Sequence, residues 1–234
     1  NERNIIQNLV EKNTRSMIVL PCDANKNFRF YFDLMQKGIQ IVFVDIMPNG
    51  LTGHYVSSDN LMGGYQATKY LLSKGYTKIA AFCDSVEKFN TVEERKKGYL
   101  LALQEAGIEP REEYMPQFQE ICAEIPDAVQ KLMTSSNPPD AFFATNDIIA
   151  IHILITMQRL GYHVPEDAAI IGFDNLEISV MQSVPLTTMA QNFVEIGRSA
   201  AGLCMDLDDK PPHVYYRKMV PVSVVERMST QLTL

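Results

Sequence analysis

The sequence contains few residues of the kinds that form cross-links or bind metals. Only four cysteines occur among 234 residues, and no two of them form a CxxC pair. They are Cys22, Cys83, Cys122 and Cys204. Their spacing favours reduced thiols in a cytoplasmic protein over disulfides or a metal site. The four histidines are scattered without HxxxH spacing, so we expect no metal and no cofactor.

Catalytic motifs and membrane-spanning runs are also missing. There is no GxSxG nucleophile elbow, no GxxxxGK[ST] phosphate loop, and no GxGxxG after a predicted strand. No apolar run approaches the roughly 18 residues that a membrane helix requires. The chain is therefore predicted to bind a molecule without transforming it, and to have no membrane partner.

Basic residues are in the minority, with 21 Lys and Arg against 28 Asp and Glu, for a net charge of −7. This balance argues against a nucleic-acid-binding surface in this segment, although not against a DNA-binding module elsewhere in a longer protein. A hydrophobic fraction of 46% and a charged fraction of 21% are typical of soluble globular proteins. The length suffices for one large lobe or two modest ones.

Strand and helix candidates alternate along the chain. In the stretch 138–193, apolar strands at 141–144 and 168–171 flank a helix at 147–160. Strand, helix and strand with short connections predict a right-handed crossover and a parallel sheet. The alternation continues elsewhere and predicts a doubly wound α/β fold. The other predicted helices are 1–15, 28–37, 60–74, 91–106, 125–133 and 193–207. The other predicted strands are 16–20, 40–45, 55–57, 78–83, 113–118, 214–220 and 222–225.

Two polar residues, Asn146 and Asp174, follow the strands at 141–144 and 168–171. Open parallel sheets bind ligands beyond the carboxyl ends of their strands, so both are candidate binding residues. Asn146 is equally suited to cap the helix that follows it. Asp174 is suited either to a turn or cap, or to accepting hydrogen bonds from the hydroxyl groups of a sugar.

Six stretches together resemble the effector-binding core of the lactose-repressor family of bacterial transcription regulators. Three lie in or just beyond the stretch already described: PDAFFATNDIIA, GYHVPEDAAIIGFDN and PLTTMAQNFVEIGRSAA. The others are VSSDNLMGGYQATKYLLSKGYTKIA, ERKKGYLLALQEAGI and PVSVVERMST. They occur in the family's order and spacing over nearly the whole chain, which makes the set specific although each member alone is weak.

The resemblance implies a periplasmic-binding-protein-like fold of type I. Two doubly wound lobes would be joined by three crossings, near 74–76, 188–191 and 218–222, with the ligand in the cleft between them. The lobes would comprise residues 1–74 plus 191–218, and 75–190 plus 219–234. By the same resemblance, the first strand, most of the first helix and the DNA-binding headpiece are absent from this sequence.

The resemblance also assigns effector contacts. Arg95 stands in the run EERKK, which alone indicates a solvated helix face, but it matches the family motif R-x-x-G-[FYW]. Thr91 precedes it by one helical turn on the same side. Asn146 would reach the effector while Asp147 caps the helix, and neither Arg95 nor Asp174 is expected in a core layer. The full implied set is Arg95, Asp174, Asn146, Gln191, Phe193, Phe118, Thr91, Asp59 and Asp23. The two phenylalanines are candidates either for stacking on a ligand or for ordinary core packing.

The function implied is the effector-sensing, dimerising core of a cytoplasmic regulator. It would bind a sugar or sugar derivative as a homodimer, and control operator DNA through an N-terminal helix-turn-helix outside this sequence. Two departures from the family favour a sugar over a purine. Ile46 follows Asp45 where arginine is frequent, and Phe89 replaces a charged contact of purine-responsive members. The alternative is an extracytoplasmic sugar-binding protein of an ABC transporter.

Overall fold

The computed structural model describes residues 2–84, 90–116, 118, 120–206 and 214–231. The helices in these ranges are α1 (Glu2–Glu11), α2 (Phe28–Gln36), α3 (Asn60–Ser73), α4 (Asn90–Glu105), α5 (Ile121–Met133), α6 (Asp147–Arg159), α7 (Glu177–Val180) and α8 (Phe193–Met205). The strands are β1 (Ser16–Val19), β2 (Gln40–Val44), β3 (His54–Ser58), β4 (Ile79–Phe82), β5 (Ala141–Ala144), β6 (Ala169–Asp174), β7 (Thr187–Ala190), β8 (Arg217–Val220) and β9 (Ser223–Val225).

The described residues form two compact units, each with its own sheet. The first unit comprises residues 2–59, 90–91, 192–206 and 214–220. The second comprises residues 60–84, 92–116, 118, 120–191 and 221–231. This confirms the predicted α/β class with two parallel-sheet lobes.

The first unit contains a four-stranded parallel sheet in the order β1-β2-β3-β8. Tyr31 of α2 packs edge-on against Phe43 of β2, with 5.2 Å between ring centroids, and both side chains are fully buried. Val42 and Val56 belong to a second cluster, which they share with Ile196 of α8. The alternation of Phe43 and Val42 along β2 thus serves two apolar layers, as a doubly wound sheet requires.

The second unit contains a five-stranded sheet in the order β4-β5-β6-β7-β9, in which only β9 runs antiparallel. Every residue of β4 and β5 is buried, which explains why these strands are continuously apolar rather than alternating. Helix α6 is buried along most of its circumference and shares the main core cluster with α5 and the sheet. Its apolar character is therefore largely explained by burial.

Three details of the predicted organisation differ from the structure. The predicted lobe boundary at residue 74 is displaced, because α3 belongs to the second unit and the chain changes unit between Asp59 and Asn60. The strand predicted at 113–118 is wrong, since Glu112–Tyr114 forms a 3-10 turn. Tyr114 is buried there and its hydroxyl donates to the Asn137 carbonyl. Helix α1 ends at Glu11 and not at the predicted residue 15, and it buries Ile6 but leaves Ile5 and Leu9 exposed.

Two glycines allow α3 and α4 to approach at backbone distance. A Cβ placed on Gly64 of α3 would lie 2.0 Å from the carbonyl oxygen of Arg95 on α4. A Cβ placed on Gly98 of α4 would lie 2.1 Å from the Leu61 carbonyl oxygen. Gly64 and Gly98 are therefore needed for this crossing, whereas a Cβ on Gly63 would instead meet the Phe173 ring at 2.7 Å.

We expect Gly64→Ala to lower the free energy of unfolding by roughly 2–3 kcal/mol, because the added methyl group overlaps backbone that cannot retreat. Gly202→Ala is the matched control, since Gly202 lies within α8 and a Cβ there would meet nothing within 4 Å. It should be neutral, or stabilising by up to about 1 kcal/mol. Urea unfolding followed by circular dichroism measures both. Equal stabilities of the two variants would contradict the tight crossing.

Candidate functional site

Polar residues of the second unit collect where its parallel strands end. Asn146 follows β5, Asp174 ends β6 and Gln191 follows β7. Because β5, β6 and β7 are parallel neighbours, these residues share one edge of the sheet. Such an edge is where open parallel sheets bind ligands.

A guanidinium group lies at the centre of this cluster. The Arg95 side chain reaches the sheet edge from α4 and is only 5% exposed. Its Nε donates to Asn60 Oδ1 at 2.8 Å, and its Nη1 donates to the Thr145 carbonyl at 2.5 Å. The guanidinium carbon lies 3.7 Å from the centroid of the Phe173 ring, which is a close cation–π contact.

Arg95 is thus not on a solvated helix face, and the expectation that it avoids the core is wrong. The sequence shows a run of five charges, but the close approach at Gly98 presses this part of α4 against α3 and turns Arg95 inward. Its neighbour Lys97 follows the usual pattern and pairs with Glu93 at 2.7 Å on the exposed face.

Asp174 is the acceptor of the cluster. Its Oδ1 receives the Gln191 side-chain amide at 2.6 Å and Arg95 Nη1 at 3.4 Å. The Asp174 side chain is 17% exposed to solvent, whereas the Arg95 side chain is 6% exposed. The three side chains therefore combine a carboxylate, an amide and a guanidinium, which offer hydrogen-bond acceptors and donors side by side.

Asn146 takes the capping role, one of the two alternatives that the sequence leaves open for it, and the Asp147 side chain does not cap the helix as expected. Asn146 caps α6, because its Oδ1 accepts from the Ile149 backbone N–H at 2.8 Å. Asp147 is fully buried, and its carboxylate accepts from the Thr188 hydroxyl at 2.7 Å and the Leu176 N–H at 2.8 Å. Burial raises the pKa of the Asp147 carboxyl, and these hydrogen bonds partly oppose that shift.

The predicted aromatic contacts have different surroundings. Phe118 is 3% exposed and packs against Phe82 in the core of the second unit, with 5.1 Å between ring centroids. Phe118 thus follows the second of the two alternatives from the sequence, which is ordinary core packing. Phe193 begins α8 of the first unit and is 56% exposed.

Three further predicted residues belong to the first unit. Thr91 is buried near the start of α4. Asp59 follows β3, and its backbone N–H donates to the Val220 carbonyl at 2.8 Å. Asp23 accepts from the Asn25 N–H at 2.8 Å and lies 3.4 Å from Lys26 Nζ, so it stabilises a local turn.

Some residues of the cluster were not predicted. Asn60 contacts Arg95, but in the sequence it reads only as the start of a helix. The Thr145 carbonyl is invisible to side-chain motifs. For Asn60 a usable signal existed, since it stands in the D-N-x-x-G-G motif whose second glycine brings α3 onto α4.

Within the described ranges, no group of three or more His, Cys, Asp or Glu residues is arranged to hold a metal ion. The thiols of Cys22, Cys83 and Cys204 are free. No helix of the described residues has the length and apolar character needed to cross a membrane. Phe89, which bears on the choice between a sugar and a purine, lies outside the described residues.

Comparison with known proteins identifies the family. The family described as "Periplasmic binding protein-like domain" matches residues 68–230. The HTH-type transcriptional repressor PurR of Vibrio atlanticus is 32% identical over 231 residues, which cover 98% of this chain and 68% of that protein. The corresponding PurR of Aliivibrio salmonicida is 29% identical, and the chain spans 61% of its length.

Solved structures agree with the sequence comparison. A complex of the transcriptional regulator CelR with cellobiose superposes with a TM-score of 0.85 at 25% identity, over 97% of this chain and 70% of that chain. A regulator of the LacI family from Enterococcus faecium with bound ribose superposes at 0.80 and 24% identity, over 97% of this chain and 83% of that chain. The chain belongs to the lactose-repressor family and is built as that family's effector-binding core, with a periplasmic-binding-protein-like fold.

Proposed function

We propose that this chain senses a small polar effector for a transcription regulator. The effector would bind at the strand-end cluster of Arg95, Asp174 and Gln191 in the second unit. The observation that carries this proposal is the Asp174 carboxylate, held by Gln191 at 2.6 Å and by Arg95 at 3.4 Å at the carboxyl edge of a parallel sheet. The relatives compared above are repressors and regulators and not enzymes, which supports binding without chemical conversion.

Asn146, Phe118, Thr91, Phe193, Asp59 and Asp23 complete the set of effector contacts that the sequence predicts. Asn146 already uses its side-chain oxygen to cap α6, which leaves its amide nitrogen as the group to offer an effector. Phe118 packs in the core, so we expect it to shape the second unit and not to stack on an effector. The roles of Thr91, Phe193, Asp59 and Asp23 remain predictions from resemblance.

A sugar is the effector class that we favour. A carboxylate, an amide and a guanidinium together match the paired donor and acceptor character of sugar hydroxyls, which need fixed partners to be distinguished. Relatives in complex with cellobiose and with ribose support this choice. A purine is the second candidate, and the similarity to repressors named PurR favours it.

The regulator would act on DNA through a segment outside this sequence. The chain spans 61% to 68% of the length of the PurR relatives compared above, and a net charge of −7 makes this segment itself a poor DNA-binding surface. We propose that an N-terminal helix-turn-helix contacts operator DNA in the cytoplasm, and that the effector acts through its difference in affinity for two conformations. We do not propose the transporter alternative, because the relatives compared are repressors and regulators.

One experiment tests both the class of effector and the site. The protein is mixed with each of four ligands, ribose, cellobiose, hypoxanthine and guanine, and its melting temperature is measured. At least one should raise the melting temperature of the protein and be recovered unchanged by mass spectrometry after long incubation. Asp174→Asn should weaken its binding about 10- to 30-fold, because a charge-assisted hydrogen bond contributes roughly 1.5–2 kcal/mol. Asparagine is chosen because Asp174 has φ +107°, which asparagine tolerates better than alanine does.

The control for this measurement is Asp127→Asn, which changes the charge equally on the exposed surface of α5 in the same unit. It should bind with wild-type affinity. An Asp174→Asn variant that binds as tightly as this control would remove Asp174 from the site. A product peak in the mass spectrum would defeat the proposal of binding without conversion.

The buried position of Arg95 generates a separate prediction for stability. Arg95→Ala should lower the free energy of unfolding by roughly 2–4 kcal/mol without any effector, because it removes the buried donor that Asn60, the Thr145 carbonyl and Asp174 share. Lys97→Ala on the same helix should change it by less than about 1 kcal/mol, since its pair with Glu93 is exposed. If both variants unfold at the same urea concentration, Arg95 does not hold α4 in place.

Assembly is the third point of the proposal, and we propose a homodimer with two-fold symmetry. The second unit exposes apolar side chains on α7 and at the residue that follows it: Ile178 and Val180 are each 48% exposed, and Met181 is 71% exposed. Ile148 is exposed on the adjoining first turn of α6, which Asp147 joins to the Leu176 N–H at the start of α7. These four residues form the surface that we assign to a second copy of the chain.

Multi-angle light scattering should show a dimer for the wild type at micromolar concentration. Met181→Asp should shift the protein to a monomer, because a charge would be buried in an apolar contact. Leu101→Asp places the same charge at an exposed apolar position on α4 and should remain dimeric. A dimer that tolerates Met181→Asp would exclude the α7 surface from the interface.

A further inference from the structure

The turn that carries Asp174 has an unfavourable backbone conformation. Asp174 and Asn175 are consecutive residues with φ of +107° and +56°, and neither is a glycine. Non-glycine residues rarely adopt such angles, and they keep them only where the surrounding structure leaves no alternative. The conformation of this turn therefore needs an anchor outside the turn itself.

The anchor is a buried carboxylate. The backbone N–H groups of Asn175 and Leu176, the two that follow Asp174, donate to Thr188 Oγ1 at 3.2 Å and to Asp147 Oδ2 at 2.8 Å. The Thr188 hydroxyl in turn donates to Asp147 Oδ1 at 2.7 Å. Both amides of the turn are thus connected to the Asp147 carboxylate by hydrogen bonds. Leu176 bonds to it directly, and Asn175 bonds to it through the Thr188 hydroxyl.

The absence of a side chain at Gly172 of β6 leaves space for this carboxylate. A Cβ on Gly172 would lie 2.2 Å from Asp147 Oδ1, so no larger residue fits there without moving the acid. Asp147 has no exposed surface, which prevents it from contacting an effector. Its influence on binding has to pass through the backbone of the turn.

We infer that Asp147 is a positioning residue for the effector site. By fixing the amides of Asn175 and Leu176, it holds the preceding Asp174 carboxylate where Gln191 and Arg95 meet it. This inference rests on the proposed function for its consequence on binding. The anchoring of the turn is a property of the free protein and is measurable without any effector.

The first test is amide hydrogen exchange in the full chain. Asp147→Asn replaces one acceptor oxygen by an NH₂ group, so either Leu176 or Thr188 loses its acceptor. Exchange should accelerate about 10-fold or more at one of the two turn amides, at Leu176 directly or at Asn175 through Thr188. Thr188→Val should accelerate Asn175 similarly, and Thr188→Ser should restore the wild-type rate.

Asp140→Asn is the matched control, because Asp140 accepts from the backbone N–H groups of Thr77 and Lys78 elsewhere in the same unit. It should accelerate exchange at Thr77 or at Lys78 and leave Asn175 and Leu176 unchanged. Wild-type exchange at Asn175 and Leu176 in both Asp147→Asn and Thr188→Val would overturn the inference. If Asp147→Asn accelerates exchange throughout the unit, Thr188→Val decides between the two roles. Acceleration confined to Asn175 in Thr188→Val supports the anchor, and its absence means that Asp147 only stabilises the fold.

The second test separates positioning from general stabilisation. Ribose, cellobiose, hypoxanthine and guanine are titrated one by one by calorimetry into Asp147→Asn, with and without Asp174→Asn. Any of them that binds the wild type should bind Asp147→Asn about 10-fold more weakly, with no further loss when Asp147→Asn is added to Asp174→Asn. Additive losses would overturn the positioning role. If none binds the wild type, the proposed function fails, while the exchange rates still decide whether Asp147 anchors the turn.

Discussion

A buried guanidinium must be surrounded by acceptors, because its charge cannot be left without partners inside a protein. Much of the second unit follows from meeting this requirement for Arg95. Asn60 on α3, the carbonyl of Thr145 after β5 and the carboxylate of Asp174 at the end of β6 all converge on it. They can converge because Gly64 allows the backbone of α3 to lie against that of α4. The glycine and the arginine are thus parts of one arrangement, in which close helix packing determines where a charge can be placed.

The alternation of strands and helices could be predicted because burial on both faces makes parallel strands uniformly apolar, as in β4 and β5. Strand β7 was missed for the opposite reason. Its residues Thr187 and Thr188 read as a polar connection, yet both are fully buried, with their hydroxyls bonded to Thr230 and Asp147. Helix α7 has four residues, too few for any period to show. Local patterns record burial well, but they do not record which distant partner will satisfy a polar group.

The candidate site shows the same division. Asp174 and Gln191 could be located from the ends of predicted strands and from family motifs, and the structure brings them together. The roles of Asn146 and Asp147 could not be assigned, since both residue types cap helices well. The role of Asp147 is determined by its hydrogen bonds with Thr188 and Leu176, which lie 41 and 29 residues further along the chain. A preference that depends on such remote partners has no signature in the neighbouring residues.

Neither unit is a continuous segment of the chain, and this affects how the protein folds while it is being synthesised. The sheet of the second unit is completed by β9, whose residues pair with β7, while Ser229 donates to the Ile170 carbonyl of β6. The sheet of the first unit likewise acquires β8 after the whole middle of the chain has been made. During synthesis on the ribosome both sheets therefore stay incomplete, with β3 and β7 each paired along one edge only, until residues 217–230 emerge. Nascent chains with such unpaired strand edges are vulnerable to association with one another, and both units are completed by the same short segment of the chain.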